Sequence, residues 1–426
     1  MSGPQPGGVS IAALAPWLGD PDLQALLAAL SAAGEEARIA GGAVRNTLLG
    51  EPVADIDIAT TNPPEATMTR AEKAGFRTVP TGREHGTITV IAGARPFEVT
   101  TLRADVETFG RKARVVFGRD WKRDAERRDF TINALYACAD GTVVDLVGGL
   151  ADLESRTLRF IGEPEARIRE DYLRILRFFR LFAWYGSGRP DAAGLKACAR
   201  LKDGLAQLSA ERVWSELKKL LCAPDPARAL LWMRTTGVLT QILPETEKWG
   251  IDAVPGLIAA ERALGWPADP MLRLMGMLPP DAVRLAAMAA RLRLSRAETE
   301  RLAAWATAPS PPPGTGATAF ARLLYRYGAG PLRDRLRLAL AAARAQAAAD
   351  DKALVAAGGH ARLLKQLEGW ERPVFPVRGA DLQAAGIAAG KPLGDALRRL
   401  EAEWVDSGFA LDRDALLSRV ARPADP

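Results

Sequence analysis

The stretch Ala37–Thr60, ARIAGGAVRNTLLGEPVADIDIAT, has the pattern of a strand, a glycine turn, a short helix and a second strand. Alternate residues of a strand share one face, so Asp55 and Asp57 are expected to project together while the isoleucine between them faces the core. Two neighbouring carboxylates repel each other, and a cation or a basic side chain is the usual means of keeping both ionised. Two divalent ions about 4 Å apart, held by such carboxylates, stabilise the attacking and leaving oxygens of a phosphoryl transfer. The pair is therefore a candidate metal site.

The glycine turn before the helix has the features that a phosphate-binding site needs. Gly41 and Gly42 carry no side chain, so a phosphate can approach the backbone closely. The helix predicted over Ala43–Leu49 points its unpaired N–H groups at that phosphate, and Arg45 in its first turn can reach the same anion. An Asp-x-Asp pair alone is more often a solvated surface feature. Its combination with two glycines and an arginine at this spacing favours a functional site.

The composition favours a helical protein with an anionic partner. Of the 426 residues, 48% are hydrophobic and 6% aromatic, which allows several cores and favours helices. A formal charge of +6 and a pI near 9.3 suit a polyanion, although an arginine-rich solvated surface would give the same balance. The three cysteines and two histidines do not have the spacing of a zinc site. No apolar stretch reaches membrane-spanning length, so we expect a cytoplasmic protein without a membrane partner.

The segments GGAVRNTLLG (41–50) and DIDIAT (55–60) resemble the first motif of the class II tRNA nucleotidyltransferases, the CCA-adding enzymes, and of the related bacterial poly(A) polymerases. The resemblance implies an α+β, polymerase β-like nucleotidyltransferase head with a mixed or antiparallel sheet, followed by an all-α neck, body and tail. It also implies that the two aspartates bind two Mg²⁺ ions. The family usually has Asp where this chain has Asn46, and we interpret that position as an orienting residue rather than a metal ligand.

A second segment, RRDFTINAL (127–135), resembles the ribose-reading motif of the same family. Asp129 is suited to accept a hydrogen bond from a ribose hydroxyl, the group that separates ribonucleotides from deoxyribonucleotides. Arg128 can reach a phosphate, and Asn133 is expected on the helix that follows. The structural alternative is an exposed helix start with Asp129 near the helix dipole. The resemblance extends over nine residues, which favours the ribose-reading motif over an exposed helix start.

The runs TITVI (87–91) and FEVTTL (97–102) predict a β-hairpin. Glu98 alternates with apolar neighbours and so leaves the core face. The resemblance makes Glu98 the candidate third carboxylate, which supports the metal ions or activates the attacking hydroxyl; a solvated strand glutamate is an equal alternative. The charged segment 103–122 resembles the flexible loop that full CCA-adding enzymes use when they switch from C to A addition.

The segment from Ala166 to about Tyr185 predicts one continuous helix. Asp171, Arg174 and Arg177 recur every three residues on one face, which alone would indicate an ordinary salt-bridge ladder. Beside the two motifs above, the segment resembles the family's amino-acid template for the incoming base.

The chemistry of the bases explains how such a template works. A carboxylate accepts from the exocyclic amino group of cytosine or adenine, and a guanidinium donates to the adjacent ring nitrogen. Uracil and guanine present a carbonyl instead, and each unpaired buried group costs about 1–3 kcal/mol. Asp171 and Arg174 are therefore predicted to select the base, with Arg177 on the base or a phosphate.

The rest of the sequence predicts helices, among them one that starts with a capping box at Ser295–Glu298. The resemblance divides the chain into a catalytic nucleotidyltransferase head (1–147), a base-recognising helical neck (148–225), a helical body (226–310) and a helical tail (311–426) expected to bind tRNA.

The implied function is template-independent addition of CCA to tRNA 3′ ends from CTP and ATP, with release of pyrophosphate. The expected partners are tRNA, at its acceptor stem and elbow, and the two nucleotides, and no protein partner is implied. A poly(A) polymerase, or an enzyme adding only A, shares the head motifs, but the intact-looking segment 103–122 favours CCA addition. A different class is a non-catalytic RNA-binding protein on the same scaffold. The retained Asp55, Asp57 and Asp171 argue against it.

Overall fold

The Asp-x-Asp segment lies in a seven-stranded mixed sheet. The computed structural model describes residues 8–82, 86–93, 95–109, 112–247 and 250–420. Its strands are β1 (Ala37–Ala40), β2 (Asp57–Thr60), β3 (Arg77–Gly82), β4 (Thr87–Ala92), β5 (Arg95–Thr101), β6 (Arg103–Phe109), β7 (Lys112–Phe117), β8 (Leu135–Ala137) and β9 (Val143–Asp145). The strand order in the sheet is β3-β4-β5-β2-β1-β8-β9, in which β2 and β5 are parallel and the other neighbours antiparallel.

Within the segment 103–122, β6 and β7 pair as a separate two-stranded antiparallel sheet, and the segment ends in the first residues of the helix over Trp121–Glu126. The predicted hairpin over 87–102 is confirmed as β4 and β5, although Ala94 in its turn lies outside the described residues.

The chain forms two compact units, Met1–Ile242 and Leu243–Pro426. The helices of the first unit are α1 (Pro21–Leu30), α2 (Gly42–Leu49), α3 (Pro64–Lys73), α4 (Trp121–Glu126), α5 (Gly149–Glu154), α6 (Pro164–Glu170), α7 (Leu173–Tyr185), α8 (Ala192–Leu201), α9 (Ala210–Leu221), α10 (Ala227–Thr235) and α11 (Val238–Ile242). Short 3₁₀ turns cover Pro16–Gly19, Thr131–Asn133 and Lys202–Gln207. Helices α1 and α3 pack against the sheet, and α7 packs against α6, α9 and α10.

Among its described residues, the second unit contains helices joined by loops and no strand. Its helices are α12 (Ala253–Leu264), α13 (Pro270–Met275), α14 (Ala282–Leu292), α15 (Arg296–Thr307), α16 (Ala317–Tyr327), α17 (Ala329–Gln346), α18 (Asp351–Glu368), α19 (Gly379–Ala384), α20 (Lys391–Asp406) and α21 (Arg413–Leu417), with a 3₁₀ turn at Pro244–Thr246. The predicted capping box of α15 is confirmed. Among the described residues, no helix is long and apolar enough to cross a membrane. The mixed sheet and the helical remainder confirm the predicted fold class, while the four-part division stays a prediction.

Local geometry explains the β1–α2–β2 unit. Gly41 has a φ of +66°, which a side chain would disfavour, and its N–H donates to the Leu135 carbonyl at 2.8 Å. The predicted alternation is confirmed, because Ile56 and Ile58 are buried and Asp57 is exposed. Strand β2 begins only at Asp57, so the prediction that Asp55 lies on the strand was wrong; Asp55 precedes the strand and is exposed.

The prediction of one continuous helix from Ala166 to Tyr185 was also wrong. The helix breaks at Asp171, whose backbone is extended with a φ of −154°. The Asp171 carboxylate accepts from Leu173 N–H at 3.1 Å, and its carbonyl accepts from Arg174 N–H at 3.0 Å. Aspartate tends to bond nearby backbone N–H groups in non-helical conformations, so Asp171 ends α6, and α7 begins two residues later at Leu173.

Candidate active site

The three motifs meet at one cavity of about 460 Å³ in the first unit. Ten of the predicted site residues line it: Gly41, Gly42, Arg45, Asp57, Arg128, Asp129, Asn133, Asp171, Arg174 and Arg177. The other lining residues are Arg127, Leu173, Arg180, Leu181 and Arg212. The structure therefore brings together residues from the glycine turn, from the RRDFTINAL segment (127–135, below called the RRD segment) and from the α6–α7 junction. Glu98 lines an adjoining pocket that also contains Asp57, and Asp55 lines neither.

The cavity is strongly basic. Seven arginines line it against three carboxylates. Six of these arginines form ion pairs, with carboxylates of the lining or just outside it, whereas Arg45 is bonded by neutral oxygens and keeps a positive charge that a bound polyanion can balance. A nucleoside triphosphate is a ligand with the required charge.

Arg45 is held in one orientation by neutral oxygens. It is 8% exposed, and its Nε and Nη2 donate to Asn46 Oδ1 at 3.1 and 2.9 Å. A further bond runs from Nη1 to Asn133 Oδ1, and Nη2 also donates to the Tyr185 hydroxyl at 2.8 Å. The side chain of Asn46 donates in turn to the Pro52 carbonyl at 2.7 Å. These contacts support the interpretation of Asn46 as an orienting residue.

Asp129 connects the RRD segment to α7. Its carboxylate accepts from Arg177 Nε at 2.6 Å, from Asn133 Nδ2 at 3.1 Å and from Phe130 N–H at 2.9 Å. Burial alone would raise the pKa of Asp129, but the charge of Arg177 and the bond from Asn133 outweigh it and lower that pKa. Asp129 is thus an ionised acceptor at neutral pH. Asn133 lies in the 3₁₀ turn that follows.

A second buried carboxylate holds the two arginines of the RRD segment. Asp124 on α4 is bonded by Arg127 Nε at 2.8 Å and by the Tyr136 hydroxyl at 2.7 Å, and it pairs with Arg128 at 3.3 Å. Burial acts to raise the pKa of Asp124, but the two arginines and the hydroxyl outweigh it and lower that pKa. Arg128 also lies over the Tyr136 ring, 5.1 Å from its centroid.

The predicted base-reading side chains have protein partners. Asp171 Oδ2 accepts from Arg212 Nη2 on α9 at 2.6 Å. Arg174 Nη1 donates to Glu170 at 2.5 Å and to the Arg167 carbonyl at 2.7 Å. The same Glu170 accepts from Arg167, whose guanidinium also donates to the Arg128 carbonyl at 2.7 Å. The α6–α7 junction is thus hydrogen-bonded to α9 through Asp171 and to the RRD segment through Arg167.

The acidic side chains form the other electrostatic feature of the site. Asp57 on β2 and Glu98 on β5 are direct neighbours in the parallel register. Although Asp57 is exposed as a residue, the protein around its carboxyl group displaces enough water to raise its pKa, and the negative charges of Glu98 and Asp55 raise it further against the opposing effect of Arg128. Across the described residues, no group of three or more His, Cys, Asp or Glu side chains is arranged to hold a metal ion. Mg²⁺ typically takes one or two carboxylates and completes its shell with water and substrate phosphates, so the mutually repelling Asp55 and Asp57 fit it.

Sequence reasoning missed several residues of the site. Arg212 and Arg180 line the cavity, and Tyr185, Arg167 and Asp124 hold its side chains in place. Each lies on an ordinary amphipathic helix or at a helix end, where an arginine or tyrosine carries no signal of its own. Only the packing of α4, α6, α7 and α9 reveals them.

The fold and the cavity together define a nucleotidyltransferase, in which a glycine turn, adjacent carboxylates and a basic cavity meet beside a mixed sheet. Residues 37–159 match the family model described as "Poly A polymerase head domain", and residues 191–249 match "Probable RNA and SrmB- binding site of polymerase A". The chain is 35% identical over 409 residues to the "CCA tRNA nucleotidyltransferase 1, mitochondrial" of Mus musculus, which covers 94% of this chain and 90% of that protein. It is 40% identical over 224 residues to a Streptococcus gordonii CCA-adding enzyme, covering 52% of this chain and 54% of that enzyme.

Solved structures agree with these matches. A Bacillus stearothermophilus CCA-adding enzyme in complex with CTP has a TM-score of 0.73 to this chain at 26% identity, covering 94% of this chain and 96% of that one. The chain belongs to the tRNA nucleotidyltransferase and poly(A) polymerase family, and it is an enzyme of the nucleotidyltransferase class.

Proposed function

We propose that this enzyme adds C, C and A in turn to tRNA 3′ ends, using CTP and ATP and releasing pyrophosphate. The observation that carries the proposal is the single basic cavity shared by the glycine turn, the RRD segment and the α6–α7 junction. Such a cavity holds a triphosphate, a ribose and a base at once. The mouse relative is named a CCA tRNA nucleotidyltransferase, and the Bacillus stearothermophilus structure contains CTP, which supports the same assignment.

The triphosphate is proposed to lie at the start of α2. Gly41 and Gly42 leave the backbone accessible there, and the N-terminal end of the helix favours an anion. Arg45 and Arg128 line the same cavity and supply positive charge. Asp129 and Asn133 are proposed to receive the ribose hydroxyls.

In the transfer, the tRNA 3′ oxygen forms a bond to the α-phosphorus while the bond from that phosphorus to the α–β bridging oxygen breaks. Pyrophosphate leaves with that oxygen. The hydroxyl proton passes to a general base, and Glu98, next to Asp57 in the sheet, is our candidate for this role or for support of the metal site. Mg²⁺ ions at Asp55 and Asp57 would supply charge neutralisation at the phosphates. The protein's own contribution is positioning and fixed positive charge.

Base selection is proposed to depend on Asp171 and Arg174. A carboxylate has about four lone-pair sites, so Asp171 can accept from an amino group while it keeps its bonds to Arg212 and Leu173 N–H. Within the described residues both bonds of Arg174 use Nη1, which leaves Nη2 to donate to a ring nitrogen. Arg177, paired with Asp129, would contact the base or a phosphate.

The helical remainder is proposed to bind tRNA. A neck (148–225), a body (226–310) and a tail (311–426) would follow the head (1–147), and the body and tail would contact the acceptor stem and elbow chiefly through phosphates. A cytoplasmic location stays a prediction, because the name of the mouse relative places that protein in mitochondria.

The proposal is tested with tRNA transcripts that end before CCA, after C and after CC, each given Mg²⁺ and one ribonucleotide at a time. We expect C, C and A to be added in sequence, with UTP and GTP refused and no extension beyond CCA. Addition of A without limit to any RNA end would instead make the protein a poly(A) polymerase, the activity that the two family-model descriptions name.

A carboxylate variant separates catalysis from RNA binding. Asp57→Asn is expected to abolish nucleotide transfer while tRNA binding, measured by gel shift, is retained. The matched control is Asp140→Asn, in the exposed turn before β9, where asparagine keeps the bond to Thr142 N–H. If wild-type protein binds tRNA but transfers nothing, the non-catalytic RNA-binding alternative is correct.

A further inference from the structure

Tyr185, the last residue of α7, contacts the buried Arg45 of α2 from behind the cavity. The Arg45 guanidinium carbon lies 4.0 Å from the centroid of the Tyr185 ring, and Nη2 donates to its hydroxyl at 2.8 Å. Tyr185 does not itself line the cavity, whereas Arg45 does. Tyr185 can therefore act on a bound ligand only through Arg45.

The surroundings of Arg45 leave its positive charge available to a ligand. Its hydrogen-bond partners among the described residues are the side-chain oxygens of Asn46, Asn133 and Tyr185, all of them neutral. Burial lowers the pKa of Arg45 and the nearby charge of Arg180 acts in the same direction, while the Tyr185 hydroxyl and the more distant charge of Asp129, which is itself paired with Arg177, oppose them. A buried cation that is oriented but not neutralised has its strongest interaction with an incoming anion.

The end of α7 that carries Tyr185 is firmly anchored. Trp184 Nε1 donates to the Lys219 carbonyl of α9 at 2.9 Å, and Phe182 is 3% exposed. Arg174 and Arg177 lie near the other end of the same helix, which is about 20 Å long at 1.5 Å per residue. The same helix thus carries Arg174 and Arg177, which line the cavity, near its first residue and contacts Arg45 through its last residue, Tyr185.

We propose that Tyr185 is a positioning residue that orients Arg45 for the triphosphate, and so makes the phosphate site depend on the helix that reads the base. This inference rests on the proposed nucleotide-transfer function. Because Arg45 contacts phosphates, the loss of Tyr185 weakens CTP and ATP binding equally and leaves base discrimination unchanged.

The test compares Tyr185→Phe, which removes only the hydroxyl, with Tyr185→Leu, which also removes the ring. Steady-state kinetics on a tRNA ending in CC (for ATP) or before CCA (for CTP) should show KM raised about 3- to 10-fold in Tyr185→Phe and about 10- to 100-fold in Tyr185→Leu, with kcat within about twofold. The control Tyr327→Phe, which removes the hydroxyl of an exposed tyrosine at the end of α16, should leave KM within about twofold. An unchanged KM in Tyr185→Leu, or a change for only one nucleotide, overturns the inference.

A base-free probe makes the result independent of turnover. Calorimetry with inorganic tripolyphosphate should show, for each Tyr185 variant, a loss of affinity that matches its increase in KM, and no loss in Tyr327→Phe, with melting temperatures measured on all three variants. If the wild type transfers no nucleotide, the proposed function fails, yet this titration still decides the role of Tyr185. No binding to the wild type, or equal binding to all variants, overturns the inference.

Discussion

Asp171 and Arg212, 41 residues apart in the chain, form a hydrogen-bonded ion pair with an Oδ2–Nη2 distance of 2.6 Å. The pair fixes a carboxylate that lies at the break between α6 and α7 and faces the basic cavity. Asp171 is thereby held by a side chain from α9 on one oxygen and by the start of α7 on the other. A carboxylate held on both oxygens is preorganised to accept from a base.

Arg212→Ala should impair use of both nucleotides and weaken the rejection of UTP and GTP, because Asp171 loses the partner that orients it. Hydrogen bonds to charged groups contribute about 1.5–3 kcal/mol, so kcat/KM for CTP and ATP should fall about 10- to 100-fold. The matched control is Arg200→Ala, since Arg200 pairs with Glu165 at the surface with its side chain 63% exposed. Equal kinetics for the two variants would contradict the role given to Arg212.

The two glycines before α2 should respond differently to alanine. A Cβ at Gly41 would lie 3.1 Å from the Asn133 carbonyl and 3.3 Å from Arg128 Nη1, at a φ that alanine rarely adopts. Gly41→Ala should therefore lower the free energy of unfolding by about 1–3 kcal/mol and also reduce activity.

In contrast, a Cβ at Gly42 would meet only Arg45 Nη2, at 3.8 Å. Gly42→Ala should unfold at the wild-type temperature but bind CTP and ATP more weakly, since the new methyl group occupies the approach of the phosphate. Thermal denaturation and steady-state kinetics on both variants check this contrast. A normal KM in Gly42→Ala would place the triphosphate elsewhere.

The second unit contains a buried ion pair on which its stability should depend. Arg273 and Glu261 have side chains only 2% and 4% exposed, and Arg273 Nη2 donates to Glu261 Oε2 at 2.6 Å. Arg273→Met leaves a buried carboxylate uncompensated and should cost about 3–5 kcal/mol of stability. Adding Glu261→Leu should recover part of that loss, because no lone charge then remains. Urea unfolding measures both variants, and a double variant less stable than the single one would contradict the explanation.

Stability of the second unit should also depend on pH through Asp269. Its carboxylate caps α13 at Met271 N–H, 3.0 Å away, and accepts from Arg301 Nη2 at 2.5 Å. Burial acts to raise the pKa of Asp269, but the bond and charge of Arg301 and the cap outweigh it and lower the pKa below the ordinary 3.8. A lowered native pKa means that the stabilisation is complete above about pH 4 and is lost as the pH falls through the native value.

Asp269→Asn keeps a helix cap but removes the charge. It should reduce the free energy of unfolding by about 1 kcal/mol at pH 7, and the difference from wild type should shrink below pH 4. Denaturant titrations between pH 7 and pH 3 test this. A difference that stays constant with pH would show that the charge of Asp269 does not contribute.

Local sequence patterns were enough to predict the β1–α2–β2 unit, the β4–β5 hairpin and the helical remainder, since periodicity and glycine turns act over a few residues. They also indicated which side chains belong to the site, because motif residues sit at fixed spacings. They failed where a competing local interaction decided the geometry. Asp171 interrupts a helical pattern because its backbone is extended and its side chain accepts from Leu173 N–H, and β2 starts two residues later than predicted.

The sequence by itself determined the fold class, the acidic pair and ten of the fifteen residues that line the cavity. Only the tertiary structure decided which side chains orient them. Arg212 reaches Asp171 from α9, Tyr185 reaches Arg45 from the far end of α7, and Asp124 on α4 holds the RRD arginines. The physical reason is that periodicity specifies which face of a helix is buried, whereas the partner of a polar side chain depends on how separate elements pack against one another.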